Sequence, residues 1–72
     1  MDMRKLVGLN VRRFRSARDM TQEQFAERSG FSQQYISDLE RGRRNPTIVS
    51  LYELATALGV MPVDLLTPGD KQ

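Results

Sequence analysis

The chain has 72 residues, enough for one small domain, and a formal net charge of +2 at pH 7. It contains no cysteine and no histidine. These absences exclude disulfides, the usual zinc ligand sets, and the Ser/His and Cys/His nucleophile pairs of many enzymes. So short a chain also has little material for a catalytic cleft. We therefore expect no catalytic residue, no metal site and no cofactor.

Positive charge is concentrated in the first two-thirds of the chain. Within residues 1–18, Asp2 is the only acid, and the basic residues are Arg4, Lys5, Arg12, Arg13, Arg15 and Arg18. A second basic cluster follows in the middle of the chain, at Arg41, Arg43 and Arg44. The segment from Pro46 onward is slightly acidic. This asymmetry predicts one face for a polyanion and another face for a different contact.

No stretch approaches the roughly 20 apolar residues that a membrane span requires, and no signal peptide is evident. We expect a soluble, cytoplasmic protein with no membrane contact. A membrane-surface role for the basic first helix would need the apolar residues that this helix must bury in the core. With room for one domain only, we expect no small-molecule ligand.

Apolar residues recur at helical spacing throughout, which predicts an all-α fold of about five helices. The first helix runs roughly from Met3 to Arg18, with Asp2 as its N-cap. Its buried face is predicted to hold Met3, Val7, Phe14 and Ala17, with Leu6 and Val11 at the flanks. We also expect the methionine and aromatic side chains to lie in the core, namely Met3, Phe14, Met20, Phe25 and Phe31.

The second helix begins at Thr21, where Thr21 and Gln24 have the spacing of a capping box, and ends at Ser29-Gly30. Ser32 caps a third helix, from Gln33 to Arg41. Thr47 caps a fourth, whose apolar stripe is Ile48, Leu51, Leu54, Ala55 and Leu58. A short fifth helix begins at Pro62 and ends near Leu66. We assign residues 1–66 to one domain and 67–72 to a flexible C-terminal tail.

The second and third helices, joined by a tight glycine-containing turn, have the helix-turn-helix layout. On a helical wheel, Ile36 and Leu39 mark the buried side of the third helix. The opposite side is a continuous polar arc of Gln33, Gln34, Ser37, Asp38 and Arg41. Amides and hydroxyls are the groups that read base edges in the major groove. The alternative is an ordinary solvated face.

Further evidence for a helix-turn-helix domain comes from the segments between Val7 and Val60. The relevant segments are Val11 with Phe14-Arg15, then Met20 to Ala26, Gly30-Phe31-Ser32, Tyr35 to Gly42, Pro46-Thr47-Ile48, Leu51, Leu54-Ala55 and Leu58-Gly59-Val60. In these segments the chain resembles the lambda-repressor-like, Cro/C1 (XRE) helix-turn-helix family. The resemblance implies a compact five-helix domain that binds operator DNA, usually as a dimer. It is similar both to Cro-type repressors and to restriction–modification controller proteins.

The resemblance also implies roles for individual residues. The base-reading positions match Gln33, Gln34, Ser37 and Asp38. An acid at position 38 could accept from cytosine N4 or could repel phosphate, and both alternatives stay open. The phosphate-binding positions match Thr21, Gln22, Tyr35, Arg41, Arg43, Arg44, Asn45 and Arg15. Arg15 is further expected to pair with Glu40, which lies at the edge of the buried side, where an unpaired carboxylate would be costly.

A symmetric dimer is predicted because one third helix offers too few base contacts to stand out among genomic sites. The pairing surface should lie in the less charged C-terminal third, at Tyr52, Met61, Pro62, Val63 and Leu66. Double-stranded DNA and a second copy are thus the predicted partners. The rival interpretation is an interaction module, such as an antitoxin half, whose main partner is another protein. Steep salt dependence of binding to random duplex would favour DNA.

Overall fold

The structure, a computed structural model, describes residues 1–69. Within these residues the regular structure is entirely helical. The helices are α1 (Met3–Ala17), α2 (Gln22–Ser29), α3 (Gln33–Glu40), α4 (Ile48–Leu58) and α5 (Pro62–Leu66). The all-α, five-helix prediction is confirmed. Of the predicted tail, residues 70–72 lie outside the described residues, and the boundary after residue 66 stays a prediction.

The ends of the helices follow from the chemistry of their capping residues. At the start of α2, Thr21 Oγ1 accepts from the Gln24 amide at 3.0 Å, and Gln24 Oε1 accepts from the Thr21 amide at 2.9 Å. Gly30 ends α2 in the left-handed region, with φ of 85°, where a Cβ would be strained. Side chains also cap the other long helices, at Asp2, Ser32 and Thr47. These predicted caps are confirmed.

The core lies where α1 and α2 enclose α3 and where α4 and α5 close the other side. Each helix contributes side chains that solvent barely reaches. The largest apolar ones are Val11, Phe25, Ile36, Leu39, Leu54, Leu58 and Leu65. Phe14, Met20 and Phe31 are partly buried and pack against this core. The predicted core aromatics therefore lie where the helical spacing placed them.

Three residues predicted to be buried are exposed, and each lies at a helix end. Met3 and Ile48 are the first residues of α1 and α4, and their side chains are 45% and 86% exposed. Ala17, the last residue of α1, is exposed as well. Helical periodicity correctly gives the apolar face, but the neighbouring helices do not extend over these terminal turns. Conversely Val11, predicted at the flank, is fully buried.

Asn10 is a buried polar residue that the sequence analysis did not identify. Its side chain has no exposed surface, and its Nδ2 donates to the backbone oxygens of Leu65 at 2.9 Å and Thr67 at 3.0 Å. Its Oδ1 accepts from Arg13 Nη2 at 2.7 Å. Asn10 therefore ties the middle of α1 to the end of α5 and to the first residue of the predicted tail. This amide adds polar contacts to the apolar packing of α5, whose Leu65 is fully buried.

Candidate nucleic-acid interface

The third helix is held so that one side is buried and the other is open to solvent. Ile36 and Leu39 have no exposed surface, whereas Gln33 and Gln34 at its first turn are exposed. Ser37, one turn further along, is partly exposed. The first two turns of α3 thus present two amides and a hydroxyl on an outward face. Groups of this kind can form specific hydrogen bonds with base edges.

Asp38, the fourth predicted base reader, is partly covered by its own neighbours. Its Oδ1 accepts a hydrogen bond from Gln34 Nε2 at 3.0 Å. Its Oδ2 lies 3.5 Å from Arg44 Nη2, and its side chain is 20% exposed. The carboxylate therefore links one predicted base reader with one predicted phosphate ligand. Its own contact with a base stays a prediction.

Tyr35, in the first turn of α3, contacts both the turn before this helix and the loop after it. Its ring stacks on Phe31 with centroids 4.7 Å apart, and the Arg44 guanidinium lies 5.0 Å from the ring centroid. Burial raises the pKa of the Tyr35 phenol, against the opposing effect of the Arg44 charge. The hydroxyl is consequently protonated near neutral pH and can donate a hydrogen bond to an anion.

The predicted pair of Arg15 and Glu40 is present and joins α1 to the end of α3. Arg15 Nε and Nη2 donate to the two Glu40 carboxylate oxygens at 2.6 Å and 3.0 Å. The hydrogen bond to Glu40 raises the pKa of Arg15, with burial acting in the opposite sense. The two side chains are 13% and 4% exposed. This pair fixes α3 relative to α1.

Two further contacts complete the network around Glu40. Gln22 Nε2 donates to Glu40 Oε1 at 3.0 Å, and Arg15 Nη1 donates to the Met20 carbonyl at 2.7 Å. Each of these donors still has a second hydrogen, so Gln22 and Arg15 keep some capacity toward an anion. An open groove crosses this region and is lined by Arg12, Arg15, Gln22, Ser37, Glu40 and Arg41. Arg12, which is not among the predicted phosphate ligands, therefore lines the same groove as Arg15, Gln22 and Arg41.

The loop between α3 and α4 continues the basic surface. Its exposed predicted phosphate ligands are Arg41, Arg43, Arg44 and Asn45. Thr21 and Gln22 stand at the N-terminus of α2, whose partial positive charge favours an anion. Gln22 and Arg41 line one groove together with Ser37 of α3, and Arg44 lies beside Asp38 and Tyr35 of the same helix. The outward amides are thus framed by donors suited to a phosphate backbone.

Several apolar side chains of α4 and α5, and Met61 just before α5, are exposed, and we refer to them as the apolar surface of α4 and α5. Tyr52, Met61 and Val63 are more than half exposed, Leu66 is exposed to a smaller extent, and Pro62 is partly buried. Two exposed residues extend this surface and were absent from the predicted interface, Ile48 and Val49. The missed signal was the spacing to Tyr52, which is four residues after Ile48 and three after Val49.

Among the described residues, no helix has the length and apolar content of a membrane span.

Comparison with known proteins agrees with this geometry. A family model described as helix-turn-helix matches residues 11–66, which include α2, α3 and the apolar helices α4 and α5. The chain belongs to this helix-turn-helix family. The resemblance to the Cro/C1 (XRE) family that was found in the sequence is confirmed.

This helix-turn-helix protein is similar along most of its length to one transcriptional regulator and to two controller proteins. The uncharacterized HTH-type transcriptional regulator y4dJ of Sinorhizobium fredii is 65% identical over 71 residues, covering 99% of this chain and 92% of the relative. Control protein C.SmaI of Serratia marcescens is 42% identical over 67 residues, covering 93% and 80%. The restriction-modification controller protein C.Esp1396I, solved as a tetramer with its natural 35-base-pair operator, superposes with a TM-score of 0.82 at 34% identity, covering 90% and 86%.

Proposed function

We propose that this protein is a transcription regulator that binds palindromic operator DNA by placing α3 in the major groove. The observation that carries the proposal is the outward face of α3, where Gln33 and Gln34 are exposed opposite the fully buried Ile36 and Leu39. Its family consists of transcription regulators, so we propose that the protein acts by binding rather than by catalysis, in the cytoplasm.

Sequence preference is assigned to Gln33, Gln34 and Ser37. A glutamine amide can donate to adenine N7 and accept from adenine N6 at once, and a serine hydroxyl can bond several bases. Gln33 and Gln34 begin α3, and the N-terminal residues of a recognition helix are the ones that reach base edges in this layout.

Affinity for the phosphate backbone is assigned to the basic and polar groups around α3. They are Thr21, Gln22, Tyr35, Arg41, Arg43, Arg44, Asn45 and, through its remaining hydrogens, Arg15. Such contacts fix the position of a protein on DNA without reading its sequence. The groove beside α3 adds Arg12 to this set.

The working unit is proposed to be a homodimer joined through the apolar surface of α4 and α5. Tyr52, Met61, Pro62, Val63 and Leu66 form this surface, together with the neighbouring Ile48 and Val49. An exposed group of large apolar side chains is a typical protein contact. The tetrameric operator complex of C.Esp1396I is consistent with self-association in a relative. Two copies would read two half-sites about one helical turn apart.

In vitro selection of bound duplexes from a random pool tests the proposal directly. We expect a palindromic sequence with two half-sites about 10 base pairs apart, centre to centre. Affinity for random duplex should fall steeply between about 50 and 200 mM salt. A pool that stays unenriched, with binding insensitive to salt, would refute the proposal and favour a module that binds another protein.

A further inference from the structure

The carboxylate of Asp38 faces the two functional parts of the interface at once. One oxygen accepts from Gln34 Nε2 at 3.0 Å, and the other lies 3.5 Å from Arg44 Nη2. Gln34 belongs to the outward face of α3, and Arg44 belongs to the basic loop after it. Whatever Asp38 does to these two groups therefore affects both sequence reading and general affinity.

The contact with Gln34 fixes which end of the amide faces outward. An ionised carboxylate has only acceptors, so the Gln34 nitrogen must face Asp38. The Gln34 oxygen and the second amide hydrogen are then turned away from Asp38. An amide with a defined orientation meets adenine with its acceptor and donor already in order, whereas an amide free to flip does so only part of the time.

The contact with Arg44 lowers the availability of a phosphate ligand. Arg44 Nη2 lies 3.5 Å from the carboxylate, and the guanidinium lies 5.0 Å from the Tyr35 ring centroid, while the side chain is 46% exposed. A phosphate must compete with Asp38 for this guanidinium and must also approach a negative charge. This cost applies to every DNA sequence, because every sequence has the same backbone.

Resting on the function proposed above, we infer that Asp38 is a positioning residue that raises specificity by orienting Gln34 and restraining Arg44. It lowers affinity for all DNA through Arg44 and preserves affinity for the correct site through Gln34. The ratio of operator binding to random binding is therefore higher with Asp38 than without it.

The test compares Asp38→Asn with Glu53→Gln, which removes the same charge from an exposed position on α4. Each variant is titrated with the selected operator and with random duplex across a salt series. For Asp38→Asn we expect the slope of log affinity for random duplex against log salt to steepen by about 0.9, the effect of one added phosphate contact. The operator-to-random ratio should fall by about three- to tenfold. Glu53→Gln should leave both values close to those of the unaltered protein.

Two further measurements show whether Asp38 acts through its neighbours. In an Arg44→Gln background, the steeper slope caused by Asp38→Asn should disappear. In the DNA-free protein, NMR should show a weaker temperature dependence of the chemical shift for the Gln34 side-chain amide hydrogen bonded to Asp38 than for the other one, and this difference should shrink in Asp38→Asn. This second measurement requires no DNA, so its result stands apart from that of the proposed function.

Each contrary outcome overturns the inference in a recognisable way. A slope and ratio that match Glu53→Gln would remove any special role of Asp38. Loss of operator binding with random binding unchanged would mean direct base contact instead. A steeper slope that persists without Arg44, or Gln34 amide signals that do not respond to the substitution, would overturn the positioning role. If the unaltered protein itself shows no salt-dependent binding, the proposed function fails, and this inference fails with it.

Discussion

Gly8 of α1 faces the backbone carbonyl of Leu39 in α3, and the gap between them has no room for a methyl group. A Cβ built on Gly8 would overlap the Leu39 oxygen and would lie 3.0 Å from the Glu40 oxygen. Both obstacles are backbone atoms, which cannot move aside as a flexible side chain can. The close approach of α1 to α3 therefore depends on a residue without a side chain.

Gly8→Ala is expected to destabilise the fold, although alanine favours a helix interior by about 0.5–1 kcal/mol over glycine. Overpacking against a backbone costs about 1–3 kcal/mol, so the clash should outweigh the helical gain. Urea unfolding measures the net effect. Ser16→Ala, at an exposed position of the same helix, is the control and should be neutral or slightly stabilising. A more stable Gly8→Ala protein would contradict the packing described here.

Asn10→Ala is expected to lower the free energy of unfolding by about 2–3 kcal/mol, because the Leu65 and Thr67 carbonyls lose their donor. Thermal unfolding followed by circular dichroism provides the measurement. Asn45→Ala is the matched control, since residue 45 is exposed, and its effect on stability should stay within about 0.5 kcal/mol. Equal effects of the two substitutions would show that the buried amide contributes nothing particular.

Removing one partner of the Arg15–Glu40 pair should destabilise the protein more than removing both. Each side chain is mostly buried, and a single removal leaves an uncompensated charge at a cost of about 3–5 kcal/mol. A double-mutant cycle with Arg15→Ala and Glu40→Ala, measured by urea unfolding, isolates the coupling. Simple additivity of the two single effects would argue against a coupled pair.

Gln33→Ala and Gln34→Ala should each weaken binding to the selected operator by about 1–3 kcal/mol and relax preference at one base position. Arg43→Ala should instead weaken all sequences to a similar degree and flatten the salt dependence, because it removes charge rather than an amide. Competition titrations against operator and random duplex separate the two effects. Operator binding that survives both glutamine substitutions unchanged would exclude these residues as readers.

Tyr52→Glu should shift the protein from dimer to monomer, because it places a charge within the apolar surface of α4 and α5. Sedimentation equilibrium with and without operator detects the change. Leu9→Glu is the control, because it places the same charge at an apolar position of α1 that is 59% exposed and belongs to neither proposed interface. A one-to-one complex of the unaltered protein on a single half-site, with no dimer at any concentration, would refute the dimer.

The helices were predictable from the sequence because their ends carry strong local signals. Thr21 with Gln24, Ser32 and Thr47 each act within a few residues, so their effect does not depend on the rest of the fold. The exposure of Met3 and Ile48 was not predictable in this way, since it depends on how far neighbouring helices extend. The spacing of apolar residues predicts which face of a helix is apolar, whereas burial of that face requires a neighbouring helix that covers it.

Asn10 shows a different limit of sequence interpretation. It lies three residues after Val7 and four before Phe14, which places it on the apolar face of α1, so a signal was present. A polar residue there can be buried only if it finds partners, and its partners lie 55 and 57 residues away. The contact of Asp38 with Arg44 was missed for a similar reason, since it depends on the path of a loop. The contact with Gln34 is an i,i+4 pair within α3, so its spacing was a local signal that the sequence analysis did not use.

The division of α3 between a buried and an open side has a consequence for how regulators of this kind diverge. Ile36 and Leu39 anchor the helix from within, while Gln33 and Gln34 have no part in the core. On the proposed function, exchanging the outward residues alters the recognised DNA sequence at little cost to folding. A duplicated copy of the gene could acquire a new target through a few surface changes, and both copies would still fold.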